Sequence, residues 1–387
     1  MAETAQVSIE EPIKPEHPVW VLPTREEAAA IVAEHGVARL AEYMRVRNER
    51  IRAEERDPLN HCLELPTWLL TDVLVGFIDY TTFCKRIEEL IPIYGKVRPD
   101  VAVDLKSWLL DESLKEAIAQ GPYKHALILG GNASGKTEYI CHKGVEHMAK
   151  FDKAECWIFH MSERMSIDYH QSRTWQFLPQ HWKDAGKAGR PAYVGYKSQT
   201  GFSDNTVTGP NRSRLMHKNY QQDEDAAIEG GELGDSLGRR CLGYACDELV
   251  PQNWLETLRF RLSRRSGAVG MLSFTPKYGY SETVAWFLDG ARLVRAEKGK
   301  ELKRPKDIPL VRVSPRGVII NFHSRYNLFP LRGSYDNLVQ EVTADTDEIR
   351  SIRIYGHTEE TRRNLFKRLS KAAHLFKSVI GLKAGDF

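Results

Sequence analysis

Gly130-Gly131-Asn132-Ala133-Ser134-Gly135-Lys136-Thr137 is the stretch on which the reading of this 387-residue chain turns. It fits the pattern G-x-x-x-x-G-K-[ST]. In that pattern the glycines let successive backbone N–H groups wrap a β-phosphate. Lys136 then reaches the β and γ oxygens, and the Thr137 hydroxyl ligates Mg²⁺. The context agrees. His125–Gly130 is a short apolar run ending in glycine, which predicts a strand, and Lys136–Lys150 predicts a helix. Strand, loop and helix in that order are what phosphate binding needs. A glycine-rich turn with no ligand is the alternative.

A second constellation lies at Leu242–Glu248, where an apolar strand ends in two carboxylates. Asp247 is placed to hold Mg²⁺ through water, and Glu248 to act as general base on the attacking water. Asp-Glu at a strand end predicts a P-loop ATPase with an additional strand and a catalytic glutamate. A third strand runs through Met271–Phe274 into Thr275-Pro276. The Thr275 hydroxyl is a candidate sensor of the γ-phosphate; a plain strand end before proline is the other reading. Arg259, Arg261, Arg264 and Arg265 follow the Asp-Glu strand. Arg261 leads as an arginine finger acting on a neighbouring subunit. A solvated or DNA-facing basic face, or complementation of the helix dipole, would also explain the cluster.

Around these motifs, further apolar runs occur at Glu155–His160, Cys241–Cys246, Val269–Phe274 and Gly317–Phe322. Helical patterns cover Arg164–Leu178, Asn253–Ser263 and Glu282–Leu288. Short buried strands alternating with helices predict an α/β fold, a mostly parallel sheet with helices on both faces. Thr206–Thr208 and Ser213–His217, joined through Gly209-Pro210, predict an inserted hairpin. Upstream, residues 1–24 contain four prolines and read as an extended arm. Helices are expected over Arg25–Glu55 with a break at Gly36, then over Trp68–Phe77, Thr81–Ile91 and Val101–Ala119, with a loop at Asp57–Pro66. The division expected is a helical N-terminal extension (1–120), an ATPase core (121–325) and a basic helical subdomain (326–387), with Tyr335–Phe376 helical. Tyr123 and the 68–123 helices are plausible neighbours of a nucleotide base.

The composition bounds the partners. No run of about 18 apolar residues exists, so no membrane-spanning segment is expected. The six cysteines form no C-x-x-C pair, which suits reduced thiols. The chain carries a net charge of +3, but Ala291–Phe387 holds 20 Lys and Arg against 11 Asp and Glu. That surplus suits a polyanionic partner or a solvated basic face.

The ordered motifs resemble the large terminase subunit of tailed bacteriophages. Gly130–Glu138 is similar to that family's phosphate loop, and Gln171–Leu178 followed by Pro179 to its helix ending in Leu-Pro. Asn211-Arg-Ser, Tyr220-Gln-Gln and the glycines at 230 and 231 resemble the approach to its acidic strand. Asp247–Pro251, Leu258–Leu262 and Thr275–Gly279 resemble the rest of its core. His323–Asn327 and Arg353–Gly356 resemble the subdomain between its ATPase and nuclease. The likeness spans about Lys124 to His374.

The resemblance implies a Mg²⁺- and ATP-dependent motor that moves double-stranded DNA into a procapsid. It also implies a portal protein and a small terminase subunit as partners, and a ring of copies, five by analogy, in the host cytoplasm. A helicase-like or defence-system ATPase, or an ATP-binding assembly subunit without turnover, are the competing readings. Two departures matter. Asn132-Ala133 stands where relatives often have an arginine, which shifts weight to Arg261. After Asn327 the carboxylates fall mostly in helical patterns, so no nuclease is expected; a shortened chain or a split subunit would account for that.

Overall fold

In the computed structural model, β1 (His125–Gly130) is the hub of a nine-stranded sheet. The model describes residues 25–56, 58–183, 194–222, 228, 231–248, 250–277, 281–328 and 334–357. In chain order the other strands are β2 (Glu155–His160), β3 (Tyr196–Lys197), β4 (Gly201–Phe202), β5 (Thr206–Thr208), β6 (Arg214–Asn219), β7 (Cys241–Asp247), β8 (Ala268–Phe274), β9 (Arg292–Lys298), β10 (Asp307–Ser314) and β11 (Gly317–Phe322). The sheet order is β5-β6-β2-β7-β8-β1-β11-β10-β9, with β3 and β4 paired separately. The six strands from β6 to β11 run parallel. Antiparallel β5 closes one edge, and antiparallel β10 and β9 the other.

Alternation along each strand makes two cores. Ala126 and Ile128 of β1 join Val269, Met271 and Ile320 on one face. Leu127 and Leu129 join Tyr244, Leu272 and Ile319 on the other. The second face is covered by helices Gln252–Ser263 and Glu282–Leu288, through Trp254, Leu258, Val284 and Phe287. The first carries Lys136–Lys150 together with the upstream helices Pro66–Val75, Tyr80–Val97, Pro99–Leu109 and Glu112–Gln120. The parallel sheet with helices on both faces is thus as the sequence predicts.

Local chemistry sets these helix ends. Pro66 and Pro99 start their helices at the first turn, where the missing N–H costs nothing. Asp79 and Asp111 cap theirs by accepting from Thr82 N and Leu114 N. Gly36 does separate two helices, Arg25–His35 and Val37–Arg56, in the left-handed conformation at φ +81°. The hairpin of β5 and β6 also forms where expected.

Other expectations need correction. Part of the Asp57–Pro66 loop is a short helix, Pro58–His61. The helical segment expected from Tyr335 holds two helices, Ser334–Glu341 and Asp347–Tyr355. Its extension past residue 357 lies outside the described residues, as do the arm at 1–24, Gly230 and Tyr278-Gly279. Strands β9 and β10 were not anticipated. β9 reads Arg-Leu-Val-Arg-Ala-Glu-Lys, without an apolar alternation, because Arg295 and Glu297 face a helix layer while Arg292 and Lys298 stay exposed. Arg295 bonds Asp111 and lies 2.8 Å from Glu297, which accepts from Trp108 Nε1 at 2.9 Å. None of the six cysteines is in a disulfide, and among the described residues no helix is long and apolar enough to cross a membrane.

Buried charge fastens the upstream helices to the Lys136–Lys150 helix. Lys143 sits 2.6 Å from Asp72, 2.7 Å from Glu146 and 3.2 Å from Glu64, while Tyr139 donates to Asp72 at 2.8 Å. Asp72 is fully buried. Removing the cation leaves that carboxylate buried and unpaired. Lys143→Met should therefore cost about 3–5 kcal/mol in urea unfolding; a loss below about 1 kcal/mol would contradict this account.

Candidate nucleotide site

The register brings the three sequence motifs to one edge. Ser273 of β8 pairs with Ile128 of β1 on one side and with Asp247 of β7 on the other. The loop after Gly130, the carboxylates at 247 and 248 and the turn at Thr275 therefore emerge side by side from the carboxyl ends of the strands. β8 is the additional strand, lying between the phosphate-loop strand and the acidic strand.

Gly130–Thr137 curls from β1 into the Lys136–Lys150 helix. Ala133 (φ +52°) and Gly135 (φ +84°) are left-handed, and Gly135 caps the helix without any side-chain bond. A helix start of this kind carries partial positive charge and suits an anion. Lys136 Nζ lies 3.0 Å from Gly131 O and 3.1 Å from Thr275 Oγ1. Burial lowers its pKa against the pull of Asp247 and Glu248.

Thr137 Oγ1 donates to Asp247 Oδ2 at 2.8 Å, and His170 Nε2 lies 2.8 Å from the same oxygen. Burial raises the Asp247 carboxyl, but the His170 bond and charge, the Thr137 hydroxyl and Lys136 together hold it at about 2. It is an ionised carboxylate at neutral pH. Thr137 and Asp247 offer hard oxygen donors, which fit Mg²⁺. Glu248 adopts φ +68°, an unusual conformation for its type, with its N–H donating to Ser273 O at 2.8 Å. Burial, then the Asp247 charge, raises its carboxyl above the ordinary range.

The floor of the loop comes from the C-terminal part of the chain. Gly131 N donates to Phe322 O at 3.1 Å and Asn132 N to Arg353 O at 2.6 Å. Ser324 Oγ donates to Asn132 O at 2.5 Å, and Asn327 Nδ2 to Ala133 O at 2.7 Å. The segments His323–Asn327 and Arg353–Gly356, singled out by the resemblance, thus lie directly against the loop. Beside Gly135 opens a cavity of about 400 Å³ lined by Leu65, Trp68, Glu138, Arg173 and Phe177. Trp68 Nε1 donates to Gly135 O at 3.1 Å, and Arg173 pairs with Glu138 at 3.2 Å. Tyr123 does not line this cavity. It sits before β1 at the opposite sheet edge, its N–H on Leu74 O and its hydroxyl on Ala117 O.

The arginine cluster is not gathered into this edge. It ends the Gln252–Ser263 helix near the start of β8, where Lys124 Nζ meets Arg265 O at 3.3 Å. Arg259 stacks over Trp286 at 4.2 Å, and Arg265 pairs with Glu232. Arg261 is half-buried. Sequence reasoning missed His170, which carries no local signal: a buried histidine in a helical pattern looks like any core residue. It also missed the loop floor, which depends on backbone carbonyls.

No protein-family model matches the chain, and no curated protein matches it. Two solved structures of the large terminase ATPase domain of Thermus phage P74-26 are similar to it. One, an arginine-to-alanine mutant, aligns at TM-score 0.41 and 17% identity over 62% of this chain and 91% of that chain. The other aligns at TM-score 0.38 and 17% identity over 62% and 90%.

The loop floor yields a direct test. A Cβ on Gly131 would lie 2.5 Å from Arg353 O and also meet Ile354 O, both fixed backbone atoms, whereas one on Gly195 meets nothing within 4 Å. Gly131→Ala should destabilise the protein by about 1–3 kcal/mol. Gly195→Ala should stay within about 0.5 kcal/mol of the parent. Equal thermal unfolding of the two variants would overturn the packing argument.

Proposed function

We propose that the chain hydrolyses ATP at Gly130–Thr137 and works as the motor part of a DNA-packaging machine of the large terminase type. The observation that carries the ATPase reading is the 2.8 Å bond from Thr137 to an ionised Asp247, with Lys136 and Thr275 beside it. In this reading, the loop amides and Lys136 hold the β- and γ-phosphates. Thr137 would hold Mg²⁺ through an oxygen lone pair while its O–H still donates to the ionised Asp247. Asp247 contributes negative charge through water, and Glu248 accepts the proton of the attacking water. Thr275, on Lys136, registers whether the γ-phosphate is present. Bound Mg²⁺ supplies charge neutralisation across the phosphates. The cavity at Trp68 and Phe177 takes the nucleoside.

The packaging assignment rests on the ordered motifs of the sequence. With it come double-stranded DNA, a portal, a small terminase subunit and a ring of copies in the host cytoplasm as proposed partners and setting. The parts at 1–120, 121–325 and 326–387 are proposed as extension, motor core and linker. Arg261 is proposed to reach the ATP of a neighbouring copy, since the loop has Asn132-Ala133 in place of an arginine. DNA would be gripped through phosphates by basic residues of the C-terminal part, and that binding would weaken with salt.

Glu248→Gln should keep ATP-analogue binding and slow hydrolysis by about 10²–10⁴-fold. Because the base must be ionised and its pKa is raised, parental activity should fall with acid at a pH above the ordinary glutamate range. Unchanged turnover in the variant would remove Glu248 from this role.

The neighbour's arginine predicts specific activity that rises with protein concentration or on a portal. Mixing Arg261→Ala with Lys136→Ala subunits should alter activity at some ratio. A flat concentration dependence, with a fully active Arg261→Ala, would exclude the finger. Failure to bind a portal while ATP is hydrolysed would favour the helicase-like reading.

A further inference from the structure

We infer that His160, His170 and Asp247 form a second cation site, one that takes a borderline divalent transition ion such as Co²⁺ or Zn²⁺ through imidazole nitrogen. The three come from different elements. His160 ends β2, Asp247 ends β7, and His170 projects from a π-helical turn, Ser166–Gln171, set in the helical stretch 163–177. Such turns insert one extra residue per turn and re-aim the side chains that follow. Here the insertion brings His170 onto the acidic strand. One ligand atom from each residue lies within 4.8 Å of the other two, and all three residues are buried. The imidazole rings meet edge to face with centroids 4.5 Å apart.

A second observation concerns hydrogen bonds. Nδ1 of His160 and Nδ1 of His170 are buried without a protein partner, and so are both ring nitrogens of His217 on neighbouring β6. Buried polar atoms are nearly always paired, and a bound ion or water is a usual reason for exceptions. The unpartnered Nδ1 of His160 is ligand capacity that the fold does not consume.

The donor set decides the class of ion. Mg²⁺ prefers an all-oxygen octahedron, whereas two imidazoles and a carboxylate suit Zn²⁺, Co²⁺ or Mn²⁺. A tetrahedral ion with ligands at about 2.0–2.2 Å draws its donors to roughly 3.3 Å from one another. The 2.8 Å contact between His170 and Asp247 opens by about half an ångström to meet this, and the His160 ring closes. His170 then carries its proton on Nδ1 and presents Nε2 as a lone pair. Asp247 Oδ2 is also the acceptor of the Thr137 hydroxyl. An ion at this site therefore shares that oxygen with the Thr137 hydroxyl.

Ion binding is read without nucleotide, so its outcome does not depend on ATP turnover. The full chain, free of Mg²⁺, is titrated with Co²⁺ and followed by visible absorption and by calorimetry. One Co²⁺ per chain should bind with a ligand-field band, and millimolar Mg²⁺ should not displace it. His160→Gln and His170→Gln should each weaken binding at least tenfold, while exposed His35→Gln should leave it unchanged. Absence of stoichiometric binding, retention of affinity in both site variants, or displacement by Mg²⁺ would overturn the site. Should a variant not fold, the Mg²⁺ competition on the parent chain decides alone.

Discussion

The bond from Thr137 to Asp247 joins two elements that the sequence keeps 110 residues apart. It ties the first turn of the phosphate-loop helix to the end of the acidic strand. A hydrogen bond to a buried charge contributes about 1.5–3 kcal/mol, more than a neutral pair. Its larger effect is geometric. It forms only if β8 separates the two strands by one position and the register is correct to the residue. Ser273, paired with both Ile128 and Asp247, is where that register is fixed. A slip of one residue in β8 would turn its side chains to the opposite faces and misplace Thr275 against Lys136.

Much of this was legible in the sequence because it rests on local chemistry. A fully buried parallel strand reads as an apolar run, and a phosphate loop needs glycine and lysine at fixed spacing. Asp247 and Glu248, at the end of such a run, announce themselves. What stayed hidden depends on distant partners. Arg292–Lys298 looks like a solvated charged stretch, yet Arg295 and Glu297 are tied to Asp111 and Trp108 nearly two hundred residues earlier. His170 is aimed by a π-helical turn that no residue spacing reveals. The cavity beside Gly135 depends on Trp68, in a helix whose own pattern is merely apolar, and on Leu65 just before it.

The upstream helices are joined to the site more closely than their place in the chain suggests. Trp68 bonds the loop carbonyl at Gly135, and Asp72, one turn later, takes Tyr139 and Lys143 of the phosphate-loop helix. At the other side of the layer, buried Arg325 pairs with Asp104 and lies 3.7 Å from Glu297. These are charges that no apolar pattern could have placed. Their desolvation makes them tolerable only in one arrangement, so they specify how the layer sits as much as they stabilise it.

The contact between the loop and the end of the last described helix has a mechanical meaning. Gly130, Gly131 and Gly356 meet backbone to backbone, and a side chain on any of them would overlap its neighbours. Side-chain contacts can absorb a small displacement by changing rotamer, but a contact made of peptide groups has no such slack. A displacement of the loop therefore bears directly on Arg353–Gly356, as on a strut.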